Sequence, residues 1–340
     1  MKNLGYCLLT IITAALLTST AACTQIVATS TTTPAPTATA LPSATPAPTA
    51  TALPSATPAP TATALPSATT APAIQPGDYQ RTLTVDSLER TFLLHIPPGL
   101  DSLRPVPVVF VFHGYTMKAM DMWGLGFNEI ADTSSFIVVY PNGTDHGTSK
   151  LSWNAGGCCG HAVTNNIDDI AFVRLMLSDL GTIVRIDPKR IYAAGFSNGA
   201  MFSYRLACEM SSTFAAIAPV SGPLVYSPCQ PQQPVSVMQE HGLWDTVVPY
   251  AGGRGTSVVA DVIFPPVEQG IAAWVHADGC TGSAQVKKQG AVTHTVFASC
   301  RAGTAVELYT NDVQAHLWPD FYRMPICQMI WDFFAAHPKP

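Results

Sequence analysis

The sequence predicts an α/β fold: a mostly parallel central sheet flanked by helices, in a single domain that follows a disordered Pro/Thr-rich linker. Three observations lead there. From residue 78 onward, short β-branched runs alternate with stretches of helical period, the pattern of strand–helix–strand units. Residues 106–112, VPVVFVF, are apolar throughout, as in a strand covered on both faces. Residues 191–200, IYAAGFSNGA, read as a strand, a turn flanked by Gly195 and Gly199, and the start of a helix.

The first 77 residues lie outside that domain and carry one charged side chain, Lys2. Residues 1–22 read as an export signal. Lys2 is a minimal positive start, residues 8–17 are an apolar run too short to span a bilayer, and small residues follow. Cys23 stands where a bacterial lipid-attachment cysteine would, although Thr20 occupies a position where Leu is usual. The protein is therefore expected to be extracellular, either secreted or lipid-anchored through Cys23 at the outer face of a bacterial membrane. Residues 33–68 repeat TPAPTATALPSA three times without change. Such units have no large apolar face to stack, so residues 23–77 are expected to form a solvated polyproline-II linker. Residues 78–340 are the folded domain.

Within it, residues 79–96 alternate apolar and polar, as one or two antiparallel strands, and Pro97-Pro98-Gly99 ends them. Further strands are expected at 106–112, 136–140, 190–194, 215–220, 235–239 and 305–309. Helices are expected at 116–134, 166–184, 201–210, 266–277 and 325–336. The second of these has Asp168 and Asp169 at its start, as a helix dipole prefers.

Charge and cysteine content narrow the function. After Lys2 is set aside, 16 Lys and Arg face 22 Asp and Glu, so no basic face exists for nucleic acid or an anionic membrane. Seven cysteines remain beyond Cys7 and Cys23, which suits an oxidising compartment. Cys280 and Cys300 flank a polar, Gly-containing excursion and are expected to pair, a closure contributing about 3 kcal/mol. The adjacent Cys158 and Cys159 are expected to reach two different partners, Cys208 and Cys229, leaving Cys327 free. A metal site at Cys158-Cys159-Gly160-His161 is the rival reading, disfavoured because oxidation consumes thiolate ligands.

The chemistry sits where predicted strands end. Gly195-Phe196-Ser197-Asn198-Gly199 is a G-x-S-x-G turn between strand and helix, the nucleophile elbow of α/β-hydrolases. His113-Gly114-Tyr115 follows one strand, His241-Gly242-Leu243-Trp244-Asp245 another, and His316-Leu317-Trp318-Pro319 a third. The chain order Ser, Asp, His is the one this topology demands. A serine hydroxyl needs a base, and the base an orienting carboxylate. Ser197 is thus the candidate nucleophile, His316 the general base and acid, and Asp245 the group that fixes the His316 tautomer. His241 shares a loop with Asp245, so packing or orienting that loop suits it better; His276 and His294 read as surface residues. Asp312 and Asp320 lie too near His316 to come from a separate strand. The N–H groups of Asn198 and Tyr115 are the candidate oxyanion donors. Trp153, Trp244 and Trp318 stand in loops beside these segments and could line an aromatic cleft that binds substrate.

Several stretches then resemble a known family. They are Val111-Phe112-His113-Gly114, Trp153-Asn154-Ala155-Gly156-Gly157-Cys158-Cys159-Gly160, Asn166-Ile167-Asp168-Asp169, residues 186–201 (IDPKRIYAAGFSNGAM), Leu206-Ala207-Cys208, residues 214–222 (FAAIAPVSG) and the Asp245 loop. Together they resemble the secreted esterases that group poly(3-hydroxybutyrate) depolymerases with feruloyl and acetylxylan esterases. The resemblance spans roughly residues 80–335 and implies an α/β-hydrolase esterase with no cofactor, acting on an ester of a polysaccharide or a polyester. Feruloyl or related aromatic esters of plant cell-wall xylan are the first expectation and a polyester the alternative. No partner beyond substrate and membrane tether is implied, and a monomer is expected. In this family two glycines usually precede the histidine; here Gln314-Ala315 precede His316. Outside the enzyme class, the long tether would also suit a surface module that kept the fold and lost turnover.

Overall fold

The computed structural model describes residues 75–101, 104–145, 147, 149–256, 262–319 and 324–340. They fall in the second of the chain's two compact units, Pro66–Pro340. The export signal, Cys23 and the repeats lie outside the described residues.

The domain opens with two antiparallel strands, β1 (Gly77–Val85) and β2 (Leu88–Ile96). β3 (Val106–Phe112) follows, then two short helices, α1 (Ala119–Trp123) and α2 (Phe127–Ser134). The single helix expected over 116–134 is broken because Gly126 adopts φ +108°, a conformation only glycine takes at no cost. Next come β4 (Ile137–Pro141), α3 (Gly160–Thr164), α4 (Asp169–Gly181), β5 (Ile186–Phe196), α5 (Asn198–Glu209), β6 (Ala216–Val220) and β7 (Ser236–Gly242). A small ribbon, β8 (Gly253–Arg254) with β9 (Ile263–Phe264), precedes α6 (Val267–Ala277). β10 (Gln285–Gln289), β11 (Val292–Phe297), β12 (Val306–Asn311) and α7 (Ile326–Ala336) complete the chain.

Ten of these strands form one sheet in the order β1-β2-β4-β3-β5-β6-β7-β12-β11-β10. From β4 to β12 every neighbouring pair is parallel, and both edges are antiparallel. The chain leaves β3 to add β4 on one side and then β5 on the other. Where strand order reverses in this way, a crevice opens at the carboxyl ends of the strands. The last residues of β3 and β5 lead directly into His113 and Ser197.

Alternation explains the apolar run of β3. Val106, Val108, Phe110 and Phe112 face one core with Phe172, Phe202 and Trp274, while Val109 and Val111 face the other with Phe127, Tyr192 and Phe334. Both faces of the strand are covered, so no polar position survives in it. β10 and β11 form a hairpin inside the stretch between Cys280 and Cys300 that reads as a polar excursion. Gly290, at φ +59°, makes its turn, and the hairpin extends the sheet beyond β12.

The cysteine pairing differs in part from expectation. Cys280 bonds Cys300, enclosing the hairpin. Cys208 bonds Cys229, but Cys158 bonds its neighbour Cys159. The helix α5 explains this correction. Cys159 lies near Ser197 at its start, whereas Cys208 lies near its end, roughly 15 Å further along the axis and beyond disulfide reach. Cys327 is free and buried, as expected. Its Sγ donates to the Leu125 carbonyl at 3.0 Å, and burial pushes the thiol up to about 12.

Under the Trp153–Gly160 segment lies a buried ion pair. The Arg90 guanidinium meets Asp169 at 2.7 Å, with side-chain exposures of 2% and 0%. The second Asp169 oxygen accepts from the Asn154 N–H at 2.7 Å, and Arg90 also lies over the Phe172 ring. Among the described residues no helix is long and apolar enough to cross a membrane. Asp169→Ala would leave the Arg90 charge buried without its carboxylate. The expected loss is about 3–5 kcal/mol in a urea denaturation series, and a loss below about 1 kcal/mol would contradict the assignment.

Candidate active site

Ser197 joins β5 to α5 at φ 54° and ψ −116°. A non-glycine residue held there is strained, and the surroundings must over-determine it. They do so by crowding. A Cβ at Gly195 would collide with the Gly199 backbone, and one at Gly199 with the carbonyls of Phe112 and His113. The Ser197 N–H is held by the Val220 carbonyl at 2.8 Å, on the neighbouring strand.

Two other loops reach this turn. His316 follows β12, and its Nε2 stands 2.9 Å from Ser197 Oγ. Its Nδ1 stands 2.7 Å from Asp245 Oδ2, on the loop after β7. Asp245 is buried, and its Oδ1 accepts from the N–H groups of Val247 (3.0 Å) and Val248 (2.8 Å). Burial alone would raise this carboxyl. Hydrogen bonds from His241, His316 and the Val248 N–H outweigh it and hold the group at about 2. His241 Nε2 lies 2.8 Å from the Val248 carbonyl and 3.4 Å from Asp245, so His241 braces the acid loop. Phe196 packs against the His316 ring. His276 is exposed, and half-buried His294 pairs with Glu307 at 2.8 Å.

The turn after β3 lies alongside. A Cβ on Gly114 would touch Phe196 and Ser197. Its preceding residue, His113, is fully buried, and burial lowers the imidazole to about 4. Neutral His113 can donate through Nδ1 to the Gly114 carbonyl (2.7 Å) and accept the Gly143 N–H at Nε2 (2.9 Å). This locks the segment that presents Tyr115. Asn198 is tied from the other side. Its Oδ1 accepts from the Trp153 N–H at 2.7 Å and its Nδ2 donates to the Trp153 carbonyl at 3.1 Å. The backbone N–H groups of Tyr115 and Asn198 have no acceptor among the described residues.

A cavity of about 280 Å³ adjoins Ser197 and His316. Its walls are Tyr115, Met117, Cys159, Phe196, Met201, Val247, Val248 and Phe264, an almost wholly apolar set. None of the three tryptophans expected to line a cleft is among them. Trp153 is fully buried, stacked on Phe202 with its Nε1 donating to the His113 carbonyl, so it is core and cannot meet a substrate. Trp244 is 64% exposed on the outer side of the acid loop. Trp318 packs edge-on against Phe127 and Phe196 and lines a different, smaller hollow. The aromatic side chains present are Tyr115, Phe196 and Phe264. Phe264 lies far from every motif in sequence, which is why it was not legible; Tyr115 and Phe196 flank motif residues directly.

Such an arrangement can pass a proton from a hydroxyl to an imidazole braced by a carboxylate, beside two N–H groups and an apolar pocket. That is the equipment of acyl transfer. Residues 90–250 match the sequence model of the family described as esterase PHB depolymerase. Over that span, just under half of the chain, the sequence is similar to this esterase family. It is 29% identical over 259 residues to feruloyl esterase B of Piromyces equi, covering 74% of this chain and 46% of that protein. It is 35% identical over 126 residues to the bifunctional acetylxylan esterase/xylanase XynS20E of Neocallimastix patriciarum, covering 37% of this chain and 17% of that protein. The chain thus spans less than half the length of either esterase relative. Among solved structures, the acetyl xylan esterase from Aspergillus awamori aligns with TM-score 0.52 at 16% identity, over 76% of this chain and 99% of that one. That likeness establishes the α/β-hydrolase fold.

Because Asp245 titrates below its ordinary 3.8, its ionised form stabilises the fold fully above that value, and the contribution is lost as pH falls through about 2. The stability gap between wild type and Asp245→Asn should therefore shrink between pH 4 and pH 2. Denaturation curves that stay equally separated across that range would contradict this account.

Proposed function

We propose that this protein is an extracellular serine-dependent carboxylic-ester hydrolase, feruloyl-esterase-like, acting on aromatic esters of plant cell-wall xylan. The observation that carries the reading is the continuous contact from Ser197 Oγ to His316 to Asp245, at 2.9 and 2.7 Å. Ser197 Oγ attacks the ester carbonyl carbon as His316 Nε2 takes its proton. The oxyanion that forms is met by the N–H groups of Tyr115 and Asn198, each typically worth a hundredfold or more in rate. His316 returns the proton to the leaving alcohol, and an acyl-Ser197 ester remains. Water, deprotonated by His316, attacks that ester; the acid is released as His316 returns the proton to Ser197 Oγ. Asp245 holds the Nδ1–H tautomer throughout and stabilises the imidazolium.

The substrate class follows from two supports. The apolar cavity beside Ser197 suits a flat, hydrophobic acyl group better than an acetyl group alone, since Phe264, Met201 and Met117 would otherwise face empty space. The relatives named above act, by their names, on feruloyl and acetylxylan esters. The signal-like residues 1–22, Cys23 and the repeats support export and a surface tether.

A second reading, hydrolysis of a solid polyester, is favoured by exposed apolar side chains on the two loops that carry Asp245 and His316. Trp244, Leu317, Val313 and Leu243 are 64%, 61%, 53% and 42% exposed. One paired assay separates the two: ferulate release from methyl ferulate against clearing of a poly(3-hydroxybutyrate) suspension. Faster turnover of methyl ferulate is expected, with Ser197→Ala lowering it by about 10⁴-fold or more. Clearing of the polyester without ferulate release would favour the second reading, and inactivity on both esters would refute the proposal.

A further inference from the structure

Behind the catalytic loops lies a carboxylic acid that the proposed mechanism does not use. Glu240, on β7, is 1% exposed. Its Oε1 accepts from Gln314 Nε2 at 3.0 Å, and its Oε2 is buried without a partner among the described residues. Gln314 is two residues before His316, where the family's pattern has glycine. It is the most connected residue of that turn. Its Nε2 also lies 3.2 Å from the Leu317 carbonyl, its Oε1 3.3 Å from Asn311 Nδ2, and its carbonyl accepts the Trp244 N–H at 3.0 Å.

The turn needs such an anchor. Trp318 holds the far side of the segment against Phe127 and Phe196, but on the side before His316 Val313 points to solvent and buries nothing that could hold it. Yet His316 must stay within hydrogen-bond range of two residues on two other loops. The Gln314 carbonyl lies so close to Gly242 that a Cβ there would collide with it, which brings the turn against the end of β7. Glu240, two residues before Gly242 and on the same face of that strand, meets the turn at this point.

We propose that Glu240 is a positioning residue that fixes the His316 turn through Gln314. The inference rests on the reading of Ser197, His316 and Asp245 as the catalytic groups. Burial pushes the Glu240 carboxyl up to about 8, the Asp245 charge adds to that, and the Gln314 hydrogen bond opposes it. The acid is therefore neutral at pH 7. The ionisable groups facing it are Asp245 on the loop after β7 and Tyr309 opposite on β12, whose hydroxyl bonds Glu307. His241 projects from the opposite face of β7. Above about pH 8 an ionised Glu240 would set a second carboxylate charge behind Asp245 with one oxygen unpartnered, and the turn would have to open to hydrate it.

Three variants test this: Gln314→Ala, Glu240→Ala and Glu240→Gln, with ester-hydrolysis kinetics from pH 6 to pH 10 and circular dichroism as the check on folding. Gln314 is only half-buried, so its truncation leaves the core intact. Gln314→Ala and Glu240→Ala should lower kcat by about 10- to 100-fold with KM little changed, the effect of a catalytic group displaced by about an ångström. Glu240→Gln keeps a neutral acceptor for Gln314, so it should recover most of the kcat lost in Glu240→Ala. The wild type should lose kcat above about pH 8, and Glu240→Gln should lack that fall. A folded Gln314→Ala with wild-type kcat, or an alkaline limb shared by wild type and Glu240→Gln, would overturn the inference while the reading of the site stands. A wild type inactive on every ester tested would overturn the reading and the inference with it.

Discussion

The backbone around Ser197 has almost no free space, and the arrangement of the domain follows from that crowding. A Cβ at Gly195, Gly199 or Gly222 would strike the turn itself or the strand end beside it; at Gly222 the obstacle is the Ser197 carbonyl. Without those side chains α5 can start directly on the sheet and hold a serine at φ 54°. The same approach brings β3 and β6 up to β5, so that the turns leaving their carboxyl ends face one point. Asn198 then locks the loop above by bonding both backbone groups of Trp153, and Trp153 in turn supports His113. What looks like three separate loops is one polar lattice fastened to the start of a single helix.

That lattice explains which residues were legible in the sequence. The turn at Ser197 could be read because glycine is the visible trace of steric exclusion. The parallel strands could be read because burial on both faces removes polar residues from them. His316 and Asp245 were legible from chain order and from their places after strands. The roles of neighbours were less so. Trp153 follows the motif pattern of a cleft residue, but its fate depends on Phe202, which stacks on it, and Phe112, which meets it edge-on, from elements that no local signal places there. The joining of Cys158 to Cys159 depends on which end of α5 each loop meets, a tertiary fact. The hairpin at Gln285–Phe297 did leave a trace, the β-branched run VTHTVF, but its polar residues masked it because neither strand is fully buried. Glu240 is the clearest omission. A glutamate inside a strand buried at every position signals a buried interaction, and only the fold identifies Gln314 as its partner.

Charge inside the domain follows a consistent rule. Asp169 meets Arg90 and a backbone N–H, and Asp245 meets two imidazoles and two backbone N–H groups. Both carboxylates sit where a loop must keep one shape, and the cost of burying them is offset by hydrogen bonds that specify that shape. Glu240 differs, because a single amide faces it, so it resists ionisation. The interior thus holds a low-titrating acid that orients the imidazole, and a high-titrating acid behind the loop that carries it. The side of the site that meets substrate is the opposite kind of surface, apolar and sulfur-rich, walled by Met117, Cys159, Met201 and Phe264. In the proposed reading, reaction chemistry belongs to the lattice and substrate choice to that wall.

The central claim is that Ser197 gains its reactivity from contact with His316. It is tested most directly by the rate at which a fluorophosphonate probe labels the protein, with the modified residue located by peptide mass spectrometry. Labelling confined to Ser197 and slowed by about 10³-fold or more in His316→Ala is the predicted result. Equal labelling rates in the two proteins, or modification at another residue, would contradict it.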